Sequence, residues 1–329
     1  MKTRSGLVMY GGLPDEAEAF ERAFSNERLP IRFVEDEFAP DLACFAKDFA
    51  IVSVSHRANI GKMELSALKA AGVECVITRS VGTDHIDIQE ARRLNMSIKT
   101  SPYSPGSVAD FTLMLMLMVL RGVKAGFRNA REASQGSAVC GKELGDMTVG
   151  VIGPGRIGNA VLKRLEGFGC SVLICGREQS STSVSLEELL ASSDVVTLHV
   201  PLTAETHHLI GRKEMDAMKP GAVLVNTGRG ALVEAEALVD ALKERRLGGA
   251  ALDVVEGEND DPSRNREMLR HLETLRAMPN VVITPHVAYF TDHAMEDMAR
   301  SALRECREHE KEGGSDEQAQ GFGPIRRVL

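Results

Sequence analysis

Short apolar, β-branched runs alternate with amphipathic stretches along most of the chain. In the first third the runs at 6–10, 31–34, 51–55, 76–80 and 96–99 read as strands. Between them, 14–25 carries Phe20 and Phe24 on one face, 63–71 carries Leu65 and Leu68, and 88–94 has the same 3.6-residue period. These read as helices. A break follows at Pro102-Tyr103-Ser104-Pro105-Gly106, where two prolines restrict their neighbours. Ser107 is then placed to cap a helix over 108–122. A polar connection over 124–146 puts Arg128, Arg131 and Glu132 on an exposed helix. A second series begins at 146, with strands at 148–152, 172–175, 195–200, 222–226, 249–254 and 281–284. Its helices fall at 186–191, capped by Ser185, and at 214–218, 234–243 and 293–308. The polar tail from Gly313 reads as mobile. Strictly alternating β and α runs predict parallel sheets and an α/β fold.

The run Phe111–Leu120 is apolar on every side of a helix. At ten residues, between Asp110 and Arg121, it is too short to span a bilayer. Such a helix must be covered on all sides, which suggests a second subunit against it; a core helix of one subunit is the competing reading. Composition adds limits. The net charge of −8 gives no electrostatic support for nucleic-acid or membrane binding. Six cysteines without C-x-x-C spacing argue against zinc or a disulfide framework and fit a reducing cytoplasm. No secretory signal pattern is visible at the start.

The first half has no glycine-rich phosphate loop. The second opens with one. The strand 148–152 runs straight into Gly153-Pro154-Gly155-Arg156-Ile157-Gly158, and a helical apolar pattern follows at Ile157, Val161, Leu162 and Leu165. Gly153 permits the turn, Gly155 lets backbone approach a pyrophosphate, and Gly158 lets the helix lie close on the sheet. The free N–H groups of the first helical turn, Arg156, Ile157 and Gly158 among them, then face the phosphates. A purely structural glycine turn is the bland alternative. The flanking strand and helix favour a dinucleotide.

Charged residues stand just beyond successive strands of this second series: Arg229 in N-T-G-R-G, Glu258 in E-G-E, His286 in T-P-H. Ligands of open α/β sheets bind at that edge. Taken singly, such an Arg is usually an ion-paired loop residue, such a Glu solvated, and such a His a strand-end cap.

Together these segments resemble the D-isomer-specific 2-hydroxyacid dehydrogenase family. The resemblance covers nearly the whole chain and rests on G-P-G-R-I-G (153–158), H-V-P-L-T (199–203), N-T-G-R-G (226–230), A-L-D-V-V-E-G-E (251–258) and T-P-H (284–286). Within the family the chain is most similar to the D-lactate dehydrogenases, including the vancomycin-resistance type, through R-S-V-G-T-D-H-I-D (79–87), Y-S-P (103–105) and D-M-T-V-G-V (146–151). The resemblance implies two doubly wound parallel-sheet α/β domains. A Rossmann nucleotide domain (104–289) is inserted into a flavodoxin-like substrate domain (1–103 plus 290–329), with a cleft between them that closes on the cofactor.

It also implies roles. Arg229 holds the substrate carboxylate, His286 is the acid/base, and Glu258 is its anionic partner. Val81 and Gly82 offer backbone N–H groups to the carboxylate. Tyr103 and Tyr289 line the side-chain pocket. Asp253 lies on the cofactor side near the nicotinamide, with His199, Val200, Pro201, Thr206, Thr227 and Gly228 as further cofactor contacts. His207-His208 reads as a surface or cofactor-adjacent pair, with no metal site. The implied partners are a small 2-oxo or 2-hydroxy acid and a second copy of the chain.

Two departures sharpen the expectation. The strand 172–175 should end in an acid for the adenosine ribose hydroxyls. Here Gly176 is followed by Arg177, with Ser180 and Ser181 beyond. A glycine that leaves room and an arginine that can meet a 2′-phosphate predict NADP(H) in preference to NAD(H). After Glu258 the chain reads N-D-D-P-S-R-N-R, without the aromatic residue expected for a pyruvate enzyme, so a somewhat larger 2-oxo acid is open. Glyoxylate or hydroxypyruvate reduction is the alternative activity. A nucleotide-sensing corepressor-like scaffold is the alternative class, disfavoured by the absence of any tryptophan.

Overall fold

The computed structural model describes residues 5–27, 29–131, 140–176, 183–258, 266–313 and 326–328. The chain divides into two compact units, Met1–Ser104 with Phe290–Leu329, and Pro105–Tyr289.

The first unit opens with β1 (Leu7–Tyr10), α1 (Pro14–Phe24), β2 (Ile31–Val34), a 3₁₀ segment (Pro40–Ala46), β3 (Ile51–Val54), α2 (Lys62–Ala71), β4 (Cys75–Thr78), α3 (Ile88–Arg93) and β5 (Ser97–Thr100). The second contains α4 (Gly106–Leu120), α5 (Val123–Arg131), β6 (Thr148–Ile152), α6 (Arg156–Leu165), β7 (Ser171–Cys175), α7 (Leu186–Ser192), β8 (Val195–Leu198), α8 (Arg212–Ala217), β9 (Ala222–Asn226), α9 (Ala235–Lys243), β10 (Leu247–Leu252), α10 (Arg266–Ala277) and β11 (Val281–Ile283). The chain then returns to the first unit with α11 (Asp292–Gly313) and β12 (Arg326–Val328).

Both sheets are parallel and six-stranded, as α/β alternation predicts. The first runs β12-β2-β1-β3-β4-β5, the flavodoxin-like order with one strand added at the edge. The second runs β11-β10-β9-β8-β6-β7. Ser183 adds a single parallel bridge to Ile174 outside β7. Counting that bridge as a rudimentary strand gives the Rossmann order 3-2-1-4-5-6 with a seventh strand, β11, added beyond it. The order in which strands are added reverses between β6 and β8, which is the switch point where ligands bind in such sheets.

The second sheet is covered on both faces. Alternate residues of β9 divide its core: Ala222 and Leu224 join Leu189, Met215, Leu238 and Leu275 from α7–α10, whereas Val223 and Val225 join Leu115, Met116, Val161 and Leu165 from α4 and α6. This puts helices on both sides and leaves the strand ends open for chemistry.

Three sequence expectations change. Pro105, not Ser107, stands at the N-cap of α4, without a side-chain bond; Ser107 lies inside the first turn. Helix α10 was not foreseen. The tail expected to be mobile includes β12, which pairs with β2. Within one chain the apolar helix α4 buries Leu115 and Met116 fully, while Met114 is 40% exposed and Phe111, Leu117 and Met118 are half-buried. Among the described residues no helix is long and apolar enough to cross a membrane.

Candidate active site

The glycine loop is explained by its contacts. Gly153 has φ +94°, and a Cβ there would lie 2.6 Å from the His199 carbonyl oxygen. A Cβ on Gly158 would lie 2.1 Å from the Gly153 carbonyl, so helix and strand meet backbone to backbone. A Cβ on Gly155 would meet nothing within 4 Å. That position opens onto unfilled space beside the first turn of α6, as a cradle for a pyrophosphate requires. Arg156 and Ile157 follow in that turn.

Gly176, at the end of β7, has a different reason to be glycine. A Cβ there would sit 2.4 Å from Pro154 Cδ and 2.8 Å from its Cγ. The proline ring of the phosphate loop occupies the place where an acidic side chain would start. Arg177, Ser180 and Ser181 lie outside the described residues.

Three neighbouring strands deliver the charged residues. Beyond β9 the buried side chain of Asn226 staples the turn: its Nδ2 donates to the Arg229 carbonyl (2.8 Å), and its Oδ1 accepts from the Gly228 N–H (3.0 Å). Thr227 shares a hydroxyl bond with Thr112 of α4 (2.9 Å). Arg229 is half-buried, and its Nη1 donates to the Gly228 carbonyl (2.9 Å). Gly230 is pressed on the exit of β10, where a Cβ would lie 2.3 Å from the Val255 carbonyl. The turns carrying Arg229 and Glu258 are therefore in contact.

Beyond β10, Asp253 is 1% exposed. Its carboxylate accepts from the Thr284 hydroxyl (2.6 Å) and from the Val287 (3.0 Å) and Ala288 (2.8 Å) N–H groups. Its carbonyl accepts from the His286 N–H at 2.9 Å. Asp253 thus builds the loop that carries His286. That residue has φ +55°, unusual for a side chain of this size and characteristic of functional positions. Its Nδ1 stands 2.8 Å from Glu258 Oε1, and Glu258 Oε2 accepts from the Val255 N–H (3.2 Å). The carboxylate therefore holds the imidazole through Nδ1, which fixes the orientation of the ring.

The remaining candidates separate. His199 bonds Thr197 Oγ1 through Nε2 (3.0 Å), and burial pushes its imidazole down to about 4. Val200 packs against the core, and Pro201 is exposed. Thr206 closes its own turn, donating to the Pro201 carbonyl (2.7 Å) and accepting from the Thr203 N–H (2.8 Å). Tyr289 is buried in the second unit. Val81, Gly82 and Tyr103 belong to the first unit. Val81 is exposed, Gly82 donates its N–H to Ser80 Oγ (3.0 Å), and Tyr103 is half-buried.

Sequence reasoning missed the braces. Asn226 and the bracing role of Asp253 lie hidden in motif letters, although a polar residue closing an apolar strand is a usable signal. In the first unit it missed Arg79, 1% exposed, just beyond β4. Arg79 donates to the Tyr10 (2.8 Å) and Gly11 (3.0 Å) carbonyls and to Ser53 Oγ (3.1 Å), and its Nε lies 3.6 Å from the buried carboxylate of Glu16.

Comparison with known proteins agrees with this geometry. Residues 113–288 match the family model described as D-isomer specific 2-hydroxyacid dehydrogenase, NAD binding domain. A D-specific alpha-keto acid dehydrogenase of Enterococcus faecalis is 45% identical over 318 residues, covering 94% of this chain and 98% of that protein. The structure of a D-2-hydroxyisocaproate dehydrogenase superposes with a TM-score of 0.82 at 28% identity, covering 94% of this chain and 98% of the other. The apo-structure of a D-lactate dehydrogenase from Escherichia coli gives 0.81 at 28%, covering 93% and 97%. The chain belongs to the D-isomer-specific 2-hydroxyacid dehydrogenase family, and is a nicotinamide-dependent 2-oxo-acid reductase.

Proposed function

We propose that the protein reduces a small 2-oxo acid, pyruvate or a somewhat larger homologue, to the D-2-hydroxy acid, with NADPH preferred over NADH. The observation that carries the reaction is the Glu258–His286 pair at 2.8 Å, one strand away from Arg229. The Arg229 guanidinium holds the substrate carboxylate, and its planar fork polarises the adjacent ketone. His286 Nε2 gives its proton to the carbonyl oxygen, and Glu258 holds the ring in place. The cofactor, held by the 153–158 loop, supplies the hydride that adds to the carbonyl carbon. Val81 and Gly82 are assigned to the carboxylate through backbone N–H groups, that of Gly82 turning to it from Ser80 Oγ, and Tyr103 and Tyr289 to the substrate side chain. The remaining cofactor contacts are His199, Val200, Pro201, Thr206, Thr227, Gly228 and Asp253. The D-2-hydroxyisocaproate and D-lactate dehydrogenases among the similar structures support a 2-oxo acid with an alkyl side chain, whereas the aromatic 2-oxoacid reductases at 32% identity support a larger one.

The NADPH preference rests on Gly176, where Pro154 fills the origin of a ribose-binding acid, and on Arg177 in sequence. Kinetics with pyruvate, 2-oxobutyrate, 2-oxoisocaproate and glyoxylate, each with both cofactors, test the whole reading. A higher kcat/KM with NADH sinks the cofactor assignment. Preference for glyoxylate overturns the substrate assignment. Bound cofactor without turnover on any of them favours a scaffold. The exposed face of α4, with Met114, Phe111 and Met118, supports a homodimer through the nucleotide domain, and the cysteine usage supports a reducing cytoplasm. Light scattering should give about twice the 35.7 kDa of one chain; the monomer mass contradicts it.

A further inference from the structure

A second set of ligating side chains stands at the strand-end edge of the nucleotide-domain sheet. His207 and His208 come from the turn after β8, and Glu256 from the turn after β10. One imidazole nitrogen from each histidine and one carboxylate oxygen lie within 4.8 Å of one another. Adjacent side chains on extended backbone point apart. Here His208 has φ +50°, and the kink brings its ring against that of His207, with centroids 4.0 Å apart and planes at 35°.

All three ligands are held by other contacts. The His207 N–H donates to the Thr203 carbonyl (3.0 Å) and the His208 N–H to the Ala231 carbonyl (2.8 Å). Glu256 Oε2 accepts from the Ala235 N–H (3.1 Å), and Oε1 lies 2.5 Å from His208 Nε2. The backbone bonds fix the turn that carries the two rings, and the bond to Glu256 is the kind of outer contact that orients a ligating carboxylate.

We propose that His207, His208 and Glu256 form a binding site for a divalent transition metal of the zinc class. Two imidazoles and a carboxylate are a donor set of zinc sites that keep a fourth position open. Magnesium and calcium take oxygen donors, so nitrogen ligands select against them. On binding, the proton between His208 and Glu256 leaves, and the two atoms part to about 3.3 Å, the edge of a tetrahedron with bonds of about 2.0 Å. His207 is exposed, so its ring has room to turn. The three ligands are none of the residues assigned to the proposed reaction, although they lie on the same turns as Thr206 and Glu258. The site goes beyond the sequence reading of these histidines as a surface or cofactor-adjacent pair.

The test is a titration of the metal-stripped, tag-free protein with cobalt(II), followed by displacement with zinc and by calorimetry. The expected result is one ion per chain, with the visible bands of four-coordinate cobalt. His207→Ala changes an exposed ring and should weaken zinc binding by more than about ten-fold, the least that disturbing a metal site's support costs. Glu256→Gln should weaken it as well. Binding at the exposed thiols of Cys44 and Cys140 would survive both substitutions. Absence of the cobalt bands, or zinc affinity unchanged in His207→Ala, overturns the proposal.

Discussion

The two units solve one problem with opposite charges. Each is a doubly wound parallel sheet whose strand ends must hold irregular loops in place. In the nucleotide-binding unit the brace is an anion. Asp253 is buried, and its carboxylate accepts from three neutral donors of the 284–288 loop. In the other unit the brace is a cation. Arg79 ties together the ends of β1, β3 and β4 through carbonyls and a hydroxyl, and a buried partner, Glu16, offsets its charge. An anion suits a loop whose free groups are N–H donors, as beside His286. A guanidinium suits strand ends that present carbonyls. The difference teaches that loop polarity, not fold, chooses the sign of the brace.

Breaking the cationic brace should cost most in stability. Arg79→Met leaves the Glu16 carboxylate buried without its partner, and unfolding in urea should show a loss of about 3–5 kcal/mol. Adding Glu16→Leu should restore a large part of it, because an apolar pair of similar volume suits a dry site. A loss below about 1 kcal/mol in the single variant contradicts the brace.

The anionic brace should matter less for folding and more for catalysis. Asp253→Asn turns an amide NH₂ toward N–H donors, and should cost about 1–3 kcal/mol for the unmet bonds. Because the 284–288 loop sets His286, kcat should fall while cofactor affinity holds. Unchanged kcat would show that the loop keeps its shape unaided.

The smallest effect concerns His199 of the nucleotide-binding unit. Burial lowers its folded-state pKa from 6.5 to about 4. Between those values the unfolded chain binds more protons than the folded one. The stabilising contribution is therefore complete above about pH 6.5 and is lost as pH falls toward 4. Thermal melts from pH 7 to 5 should fall less steeply in His199→Asn than in the parent; parallel slopes would remove the assignment.

The sequence made the pattern of strands legible and the braces opaque. Runs such as 222–226 announce themselves because a parallel sheet buried on both faces needs continuous apolar residues. Helix α10 hides, although Met268, Leu269, Leu272 and Leu275 recur at helical spacing, because its apolar face is narrow, with Leu275 buried and Leu272 half-buried on the core, and a polar stretch precedes it. β12 hides because Arg326-Arg327-Val328 carries no alternation of its own and depends on β2 for pairing. At the site, Arg229, Glu258 and His286 are visible in the sequence as charges beyond strands. Their scaffold is not, since Asp253 meets Ala288 across 35 residues. Pro154 against Gly176 is likewise a tertiary contact, so a glycine read as vacant space turns out to face a filled one.

The central claim is that His286 delivers the proton at a 2-oxo-acid site. Its most direct test is NADPH oxidation with the best 2-oxo acid by His286→Ala, with cofactor binding measured alongside by fluorescence. The account predicts a fall in kcat of about 10²–10⁴-fold, the range of a positioned general acid, with cofactor affinity unchanged. Turnover close to that of the parent enzyme would contradict it.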